Sequence, residues 1–507
     1  MRERSDDAET AAALAAGRPA FVWRRQIADT DTPVGAARAL IEPGRGDFLL
    51  ESVEGGQIRG RYSLIGLAPD LVFRAHGDLA EINRGWQRDR ADFAPAGAAI
   101  PALRALVEEC RADVPPELPP ALACLVGYFA YETIGLIERL PRPPANPIGL
   151  PDMLFVRPTL ILVFDRLADA LFLIAPLWPG ADAVDPAAVR ARIAAAWERI
   201  DAAAARLAQR PAAAAADAPV PVDVQVEAQV APADYRRMVL RAQDYIRAGD
   251  IFQVVLAQRF TAPFPLPPFD LYRALRRINP SPFLYFLDLP GFALTGSSPE
   301  ILVRARDGEV TIRPIAGTRP RGRSAAEDAQ NRDDLLADPK ERAEHLMLLD
   351  LGRNDVGRVA APGSVRVTDS YTVELYSHVM HIVSNVVGRL AAGRDALDAL
   401  FAGFPAGTVS GAPKVRACQI IAELEPETRG AYAGGVGYFS ADGSMDSCIV
   451  LRTAVVKDGT MHVQAGAGIV ADSDPAAEQR ECEAKSGALF AAAREALRRA
   501  GEVGYGQ

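Results

Sequence analysis

Four glutamates stand in two pairs, Glu341 with Glu344 and Glu478 with Glu481, each pair three residues apart and each preceded by an Asp-Pro step, Asp338-Pro339 and Asp474-Pro475. Aspartate followed by proline is a helix start. The carboxylate caps N–H groups that have no intrahelical acceptor, and proline sits where its missing N–H costs nothing. Residues three or four apart share a helix face, so each pair is predicted to project two carboxylates side by side, with Lys485 on the same face as Glu478 and Glu481. Two such faces opposed would make a hard oxygen cage suited to magnesium. Acidic residues in a first turn are also favoured by the helix dipole with no chemistry attached, so the pairs take their meaning from their company. Three glycine-bearing stretches supply it: Pro314-Ile-Ala-Gly317-Thr318, Gly407-Thr408-Val-Ser-Gly411, and Gln464-Ala-Gly466-Ala467-Gly468, the last running on into the second Asp-Pro step. Where side chains are small, backbone N–H groups can approach an anion closely, although glycines at strand ends also mark plain turns and bulges.

These residues need elements to hold them. Helical signals cover residues 186–206, 339–351, 412–424 and 475–500, and strand signals cover 160–164, 252–256, 310–315, 448–456 and 461–465. The two kinds do not alternate, which disfavours a doubly wound parallel sheet. The prediction is an α+β fold, with large, mostly antiparallel sheets packed as a sandwich and flanked by helices. An Ala- and Pro-rich stretch, centred on residues 211–219, reads as a linker and divides the chain into 1–202, 203–232 and 233–507. No phosphate loop, dinucleotide fingerprint or zinc spacing is present. Lys plus Arg is 56 against 65 for Asp plus Glu, a formal net charge of -9, which argues against nucleic acid or an anionic membrane as partner. Five cysteines with no CxxC pair fit a reduced, cytoplasmic compartment. The charged start lacks the layout of a signal peptide, and no apolar run is long enough to span a bilayer.

Together, and in order, these segments resemble the chorismate-utilising enzymes. The likeness is carried by Gly249-Asp-Ile-Phe-Gln253, Asn279-Pro280-Ser281-Pro282, Ser298-Pro-Glu300, Pro314 to Gly322, Glu344 to Asp355, His378-Val-Met-His381, Gly407 to Lys414, Tyr432 to Tyr438, Ile449-Val-Leu-Arg452 and Gln464 to Lys485. It extends from about Tyr235 to the end and is sparser before that, chiefly at Leu49-Leu-Glu51-Ser52 and Gly60-Arg-Tyr-Ser63. The resemblance implies that Glu344 and Glu481 ligate magnesium directly, that Glu341 and Glu478 stand in the outer shell, and that the metal holds the ring carboxylate of chorismate. Gly317, Thr318, Tyr432, Arg452, Gly466, Ala467, Gly468 and Lys485 become the substrate cradle. Glu300 becomes the acid that protonates the leaving C4 hydroxyl, since hydroxide leaves poorly. His381 is the group that assists loss of the C2 proton and of pyruvate, and Thr408 contacts the ring.

Two positions choose within the family. Members that add water carry a lysine where this chain has Gln253, and members that stop at aminodeoxychorismate commonly carry a lysine where it has Ala316. Both substitutions point to the branch that makes anthranilate, a lyase of tryptophan biosynthesis. The alternatives are an aminodeoxychorismate synthase component and, from another class, a non-catalytic chorismate- or tryptophan-binding regulator. The resemblance further implies that ammonia comes from a separate glutamine amidotransferase subunit, in an assembly of two large and two small chains. It implies an L-tryptophan feedback site at Glu51, Ser52, Asn279, Pro280, Ser281, Pro282, Phe283, Leu284 and Tyr438. At that site Phe283-Leu284 replaces the commoner Tyr-Met.

Overall fold

A computed structural model describes residues 3–500 apart from 55–57, 121, 142–145, 180–184, 210–223 and 377–378. Its framework is two 12-stranded sheets, antiparallel throughout. The alternation of side chains along a strand shows how they stack. In strand Leu160–Asp165, Ile161 and Val163 join the large core that also holds Leu71, Phe73 and Val126 of the second sheet. Leu160, Leu162 and Phe164 point the other way, into a second core closed by Leu14, Ala37, Leu40, Ile193 and Ile200 of three helices. A strand covered on both faces reads as an unbroken apolar run, which is why 160–164 shows no alternation in sequence. The expected sandwich with flanking helices is what forms.

Each sheet is built from both ends of the chain. Strand Asp47–Glu54 pairs with Phe283–Leu289 in the first sheet, and Ala123–Phe129 pairs with Gly435–Ser440 in the second. The stretches on either side of the Ala- and Pro-rich segment therefore share both sheets. The helix ahead of that segment, Pro186–Ala208, runs past position 203, and residues 210–223 at the centre of the expected linker lie outside the described residues.

Two neighbouring pairs of strands carry the chain from one sheet into the other. Phe292–Ser298 belongs to the first sheet and Ile301–Arg306 to the second; Met445–Ile449 belongs to the second and Thr453–Lys457 to the first. The single strand expected over 448–456 is thus two, broken at Arg452, which takes φ 47°. Arg452 is compatible with strand propensity, so its left-handed turn leaves no mark in an apolar pattern. The two crossings are bonded to each other: Ile449 N–H donates to the Glu300 carbonyl at 3.0 Å and Ser297 N–H to the Arg452 carbonyl at 3.2 Å.

Candidate active site

Glu300 and Arg452 sit at these two crossings, where neither sheet ladder claims the side chain. Glu300 follows Pro299, which has no N–H to continue a ladder. The glutamate is 8% exposed, and the Thr408 hydroxyl donates to its Oε1 at 3.2 Å. Burial pushes the Glu300 carboxyl up to about 8, and the Thr408 bond offsets only part of that. Glu300 is therefore chiefly protonated near neutral pH. Burial pushes the Arg452 guanidinium down, and among the described residues no carboxylate forms an ion pair with it. A half-buried guanidinium without a counter-charge carries a desolvation cost that an arriving anion would offset.

His381 lies beside this pair, on strand Val379–Arg389, opposite Thr318 of strand Ile315–Pro320. Its Nδ1 stands 3.1 Å from the Gly317 carbonyl and 3.0 Å from the Thr318 hydroxyl. Burial holds its pKa below the ordinary range, with the nearby Arg452 charge adding to the shift. The imidazole is thus neutral, and Nδ1–H donating to the Gly317 carbonyl assigns the unprotonated position to Nε2. Tyr376 meets the ring edge-on, centroids 5.3 Å apart.

The glycine strand closes another side. Thr460–Ile469 pairs with Gln253–Pro263, aligning Gly468 with Val255, Ala467 with Leu256 and Gly466 with Ala257. A Cβ at Gly468 would stand 2.5 Å from Gln253 Nε2, and one at Gly466 would stand 2.9 Å from the Tyr432 hydroxyl. The glycines are required by side chains that press on the backbone. Lys485 donates to the Gly466 carbonyl at 3.0 Å and pairs with Glu481 at 2.7 Å.

The two glutamate helices form as their starts predict. Pro339–Gly357 is capped by Asp338, whose Oδ1 accepts from Lys340 and Glu341 N–H, and Pro475–Ala500 by Asp474, whose Oδ1 accepts from Ala477 N–H. Glu344 is exposed as a residue, yet partial desolvation of its carboxyl, then the charges of Glu341 and Glu481, raise its pKa. Glu478 is likewise raised by burial, with Glu481 adding to it. Carboxylates from both helices thus repel one another across a shared space, the donor chemistry that a hard dication relieves. Among the described residues no three His, Cys, Asp or Glu side chains are gathered in ion-holding geometry. Glu341 is instead held by Arg319, which donates to its Oε1 at 2.9 Å and to Asp338 Oδ2 at 2.7 Å. Gly317, at φ 74°, passes so near that its Cβ would lie 3.2 Å from Glu341 Oε2. The residues present fit a divalent cation by their chemistry.

The expected feedback residues lie apart from this site but touch its frame. Ser52 is opposite Phe283 and Glu51 opposite Leu284 on paired strands. Glu51, 5% exposed, accepts from Tyr272 at 2.6 Å, from Arg276 at 2.9 and 3.1 Å, and from Arg166 at 3.2 Å. Asn279 ends helix Pro268–Ile278, Pro280 and Pro282 flank Ser281, which is 1% exposed, and Leu284 is buried. Tyr438 stands on the second sheet, and burial raises its hydroxyl. The Ser297 hydroxyl donates to the Asn279 carbonyl, so Ser297 bonds both the Asn279–Leu284 stretch and, through its N–H, Arg452.

Sequence reasoning passed over Tyr376, Arg319 and Ser297. Arg319 was within reach, two residues past Gly317 in a motif already singled out. Tyr376 and Ser297 carry no signal, because strand register alone brings them in.

Residues 47–491 match the family described as chorismate binding enzyme. The chain is 52% identical over 490 residues to anthranilate synthase component 1 of Cereibacter sphaeroides, covering 96% of this chain and 97% of that one. It is 47% identical over 468 residues to the protein of the same description from Thermus thermophilus, covering 92% and 96%. The crystal structure of anthranilate synthase component I from Streptococcus pneumoniae TIGR4 superposes with a TM-score of 0.72 at 37% identity, over 85% of this chain and 92% of that one. MenF, the menaquinone-specific isochorismate synthase from Escherichia coli, shares the fold with a TM-score of 0.70 at 19% identity, over 96% and 100%.

Proposed function

The chain belongs to the chorismate binding enzyme family, in the group of anthranilate synthase component I proteins, and on that premise we propose that it converts chorismate and ammonia into anthranilate, pyruvate and water. The observation that carries this reading is that a buried carboxyl held protonated near neutral pH, Glu300, and a half-buried guanidinium with no ion pair among the described residues, Arg452, stand at two sheet crossings bonded to each other. Chorismate has two carboxylates to be held and a hydroxyl that leaves only when protonated. Arg452 and the N–H groups of the Gly466–Gly468 strand hold carboxylate. Glu300 gives its proton to the C4 hydroxyl as ammonia adds at C2, and water departs. The added ammonium then loses a proton, which balances the one Glu300 supplied. His381, neutral and with Nε2 unprotonated, takes the C2 proton as the C3–O bond breaks. Pyruvate leaves as its enolate and the ring becomes aromatic; the proton held by His381 then returns to the enolate, which becomes pyruvate. Ammonia needs no base, which suits a carboxamide, Gln253, where family members that add water carry a lysine.

Glu344 and Glu481 would hold magnesium, with Glu341 and Glu478 supporting them, and a bound ion would supply positive charge for the ring carboxylate. Ammonia is delivered in the cytoplasm by a separate glutamine amidotransferase subunit, in an assembly of two chains of each kind. L-tryptophan inhibits from the Glu51–Ser52 and Asn279–Leu284 segments, communicating through Ser297. The test is the fluorescence of anthranilate appearing from chorismate with magnesium and ammonium. Signal that needs both additions supports the reading; turnover unaffected by a chelator, or no anthranilate at all, overturns it.

A further inference from the structure

The chain is acidic overall, with a formal net charge of -9, yet one cavity of about 260 Å3 is walled by four arginines, Arg273, Arg276, Arg277 and Arg499. Three come from helix Pro268–Ile278 and one from the C-terminal turn of helix Pro475–Ala500. Opposite them is the start of helix Pro33–Leu40, where Thr32 and Val34 line the same space. Thr32 Oγ1 accepts from Gly35 N–H at 3.0 Å. The Val34 N–H, one residue into the helix, has no acceptor within it. Like charges so placed repel, and the fold holds them in position with carboxylates outside the cavity wall: Glu51 for Arg276, Asp270 for Arg273 and Glu495 for Arg499. Arg276 spends Nε and Nη2 on the buried Glu51, and no bond to its Nη1 forms among the described residues. Arg277 has no ion pair among the described residues and is exposed.

We propose that this cavity is a binding site for a small multivalent oxyanion, phosphate- or carboxylate-bearing, seated between the free edges of Arg276 and Arg277, Arg499 and the N-terminus of helix Pro33–Leu40. Guanidinium forks match phosphate and carboxylate oxygens in pairs, and a helix N-terminus adds N–H donors and dipole of the same sign. The confined volume favours a small molecule over the acidic face of another protein. The site stands behind the helix that leads into Asn279, and it shares Arg276 with Glu51.

Isothermal calorimetry on the full chain, without magnesium or chorismate and at constant ionic strength, tests this with pyrophosphate and with citrate as probes. The expected result is one-to-one binding of at least one probe with a Kd of about 1 mM or tighter. It should be weakened about tenfold or more in Arg277→Ala/Arg499→Ala, the loss of two charge-assisted contacts, and unchanged in Arg452→Gln. Pyrophosphate alone would mark the ligand as a phosphate, citrate alone as a polycarboxylate. If the double variant is poorly folded, Arg277→Gln serves in its place. No binding of either probe, binding indifferent to the Arg277 variants, or binding lost in Arg452→Gln overturns the proposal. The titration uses no substrate, so it is independent of the proposed reaction.

Discussion

A carboxyl titrating near 8 is an acid at neutral pH and a spectator above it. Glu300 owes this to burial, with the Thr408 hydroxyl pulling the other way by favouring the charged form. Activity should accordingly fall as pH rises through about 8, since the protonated form is the working one. Thr408→Val removes the donor to the carboxylate, so it should move that alkaline limb to higher pH; a limb that stays in place, or moves down, would detach Thr408 from Glu300. Glu300→Gln should lower kcat by roughly a hundredfold to ten-thousandfold. His381 belongs to the second half of the reaction. His381→Met should still aminate chorismate and should release the aminated, non-aromatic intermediate, seen by mass spectrometry. Anthranilate at the unaltered rate with no intermediate would make the histidine a structural hydrogen bonder to Gly317 and Thr318.

Among the elements, the two Asp-Pro helices were the most legible in sequence. A cap, a proline and a carboxylate pair are local features, and local features survive folding. The helix at Pro475–Ala500 matches its expected span, and the one expected over 339–351 simply continues to Gly357. The glycine strand was legible as a run of small residues, but the contacts that require them, Tyr432 on Gly466 and Gln253 on Gly468, come from distant parts of the chain. What the sequence concealed is the pair of crossings. Arg452 at φ 47° interrupts an apolar run without a glycine or proline to announce it, so 448–456 reads as one strand. The placement of Glu300 against Arg452 depends on pairing between distant strands, which no spacing rule carries. The helices also frame a prediction. Carboxylates from both repel within one space, so Glu344→Gln and Glu481→Gln should each abolish turnover. Both should stay at least as stable as the parent in magnesium-free buffer, and magnesium should no longer raise the melting temperature. A variant that is fully active at ordinary magnesium, or that keeps the thermal response, removes these glutamates from the metal site.

At the scale of the whole molecule, both sheets are shared between the two ends of the chain, so a change at Ser52 need not cross a loose domain boundary to reach Arg452. Strand Asp47–Glu54 lies beside Phe283–Leu289, and Ser297 bonds both Asn279 and Arg452. Ser52→Phe should raise the tryptophan needed for half-inhibition about tenfold or more, a typical coupling or pocket-contact energy, and should leave activity without tryptophan nearly unchanged. Linkage requires that chorismate weaken tryptophan binding by the factor with which tryptophan weakens chorismate binding. Saturating tryptophan that neither binds nor inhibits would dismiss the feedback site. The reaction itself remains the claim on which the others rest, and product analysis with isotopically labelled ammonium tests it most directly. Incubation with chorismate and magnesium should yield anthranilate carrying the label in its amino group and an equal amount of pyruvate. A label-free product, or labelled aminodeoxychorismate accumulating without pyruvate, would contradict it.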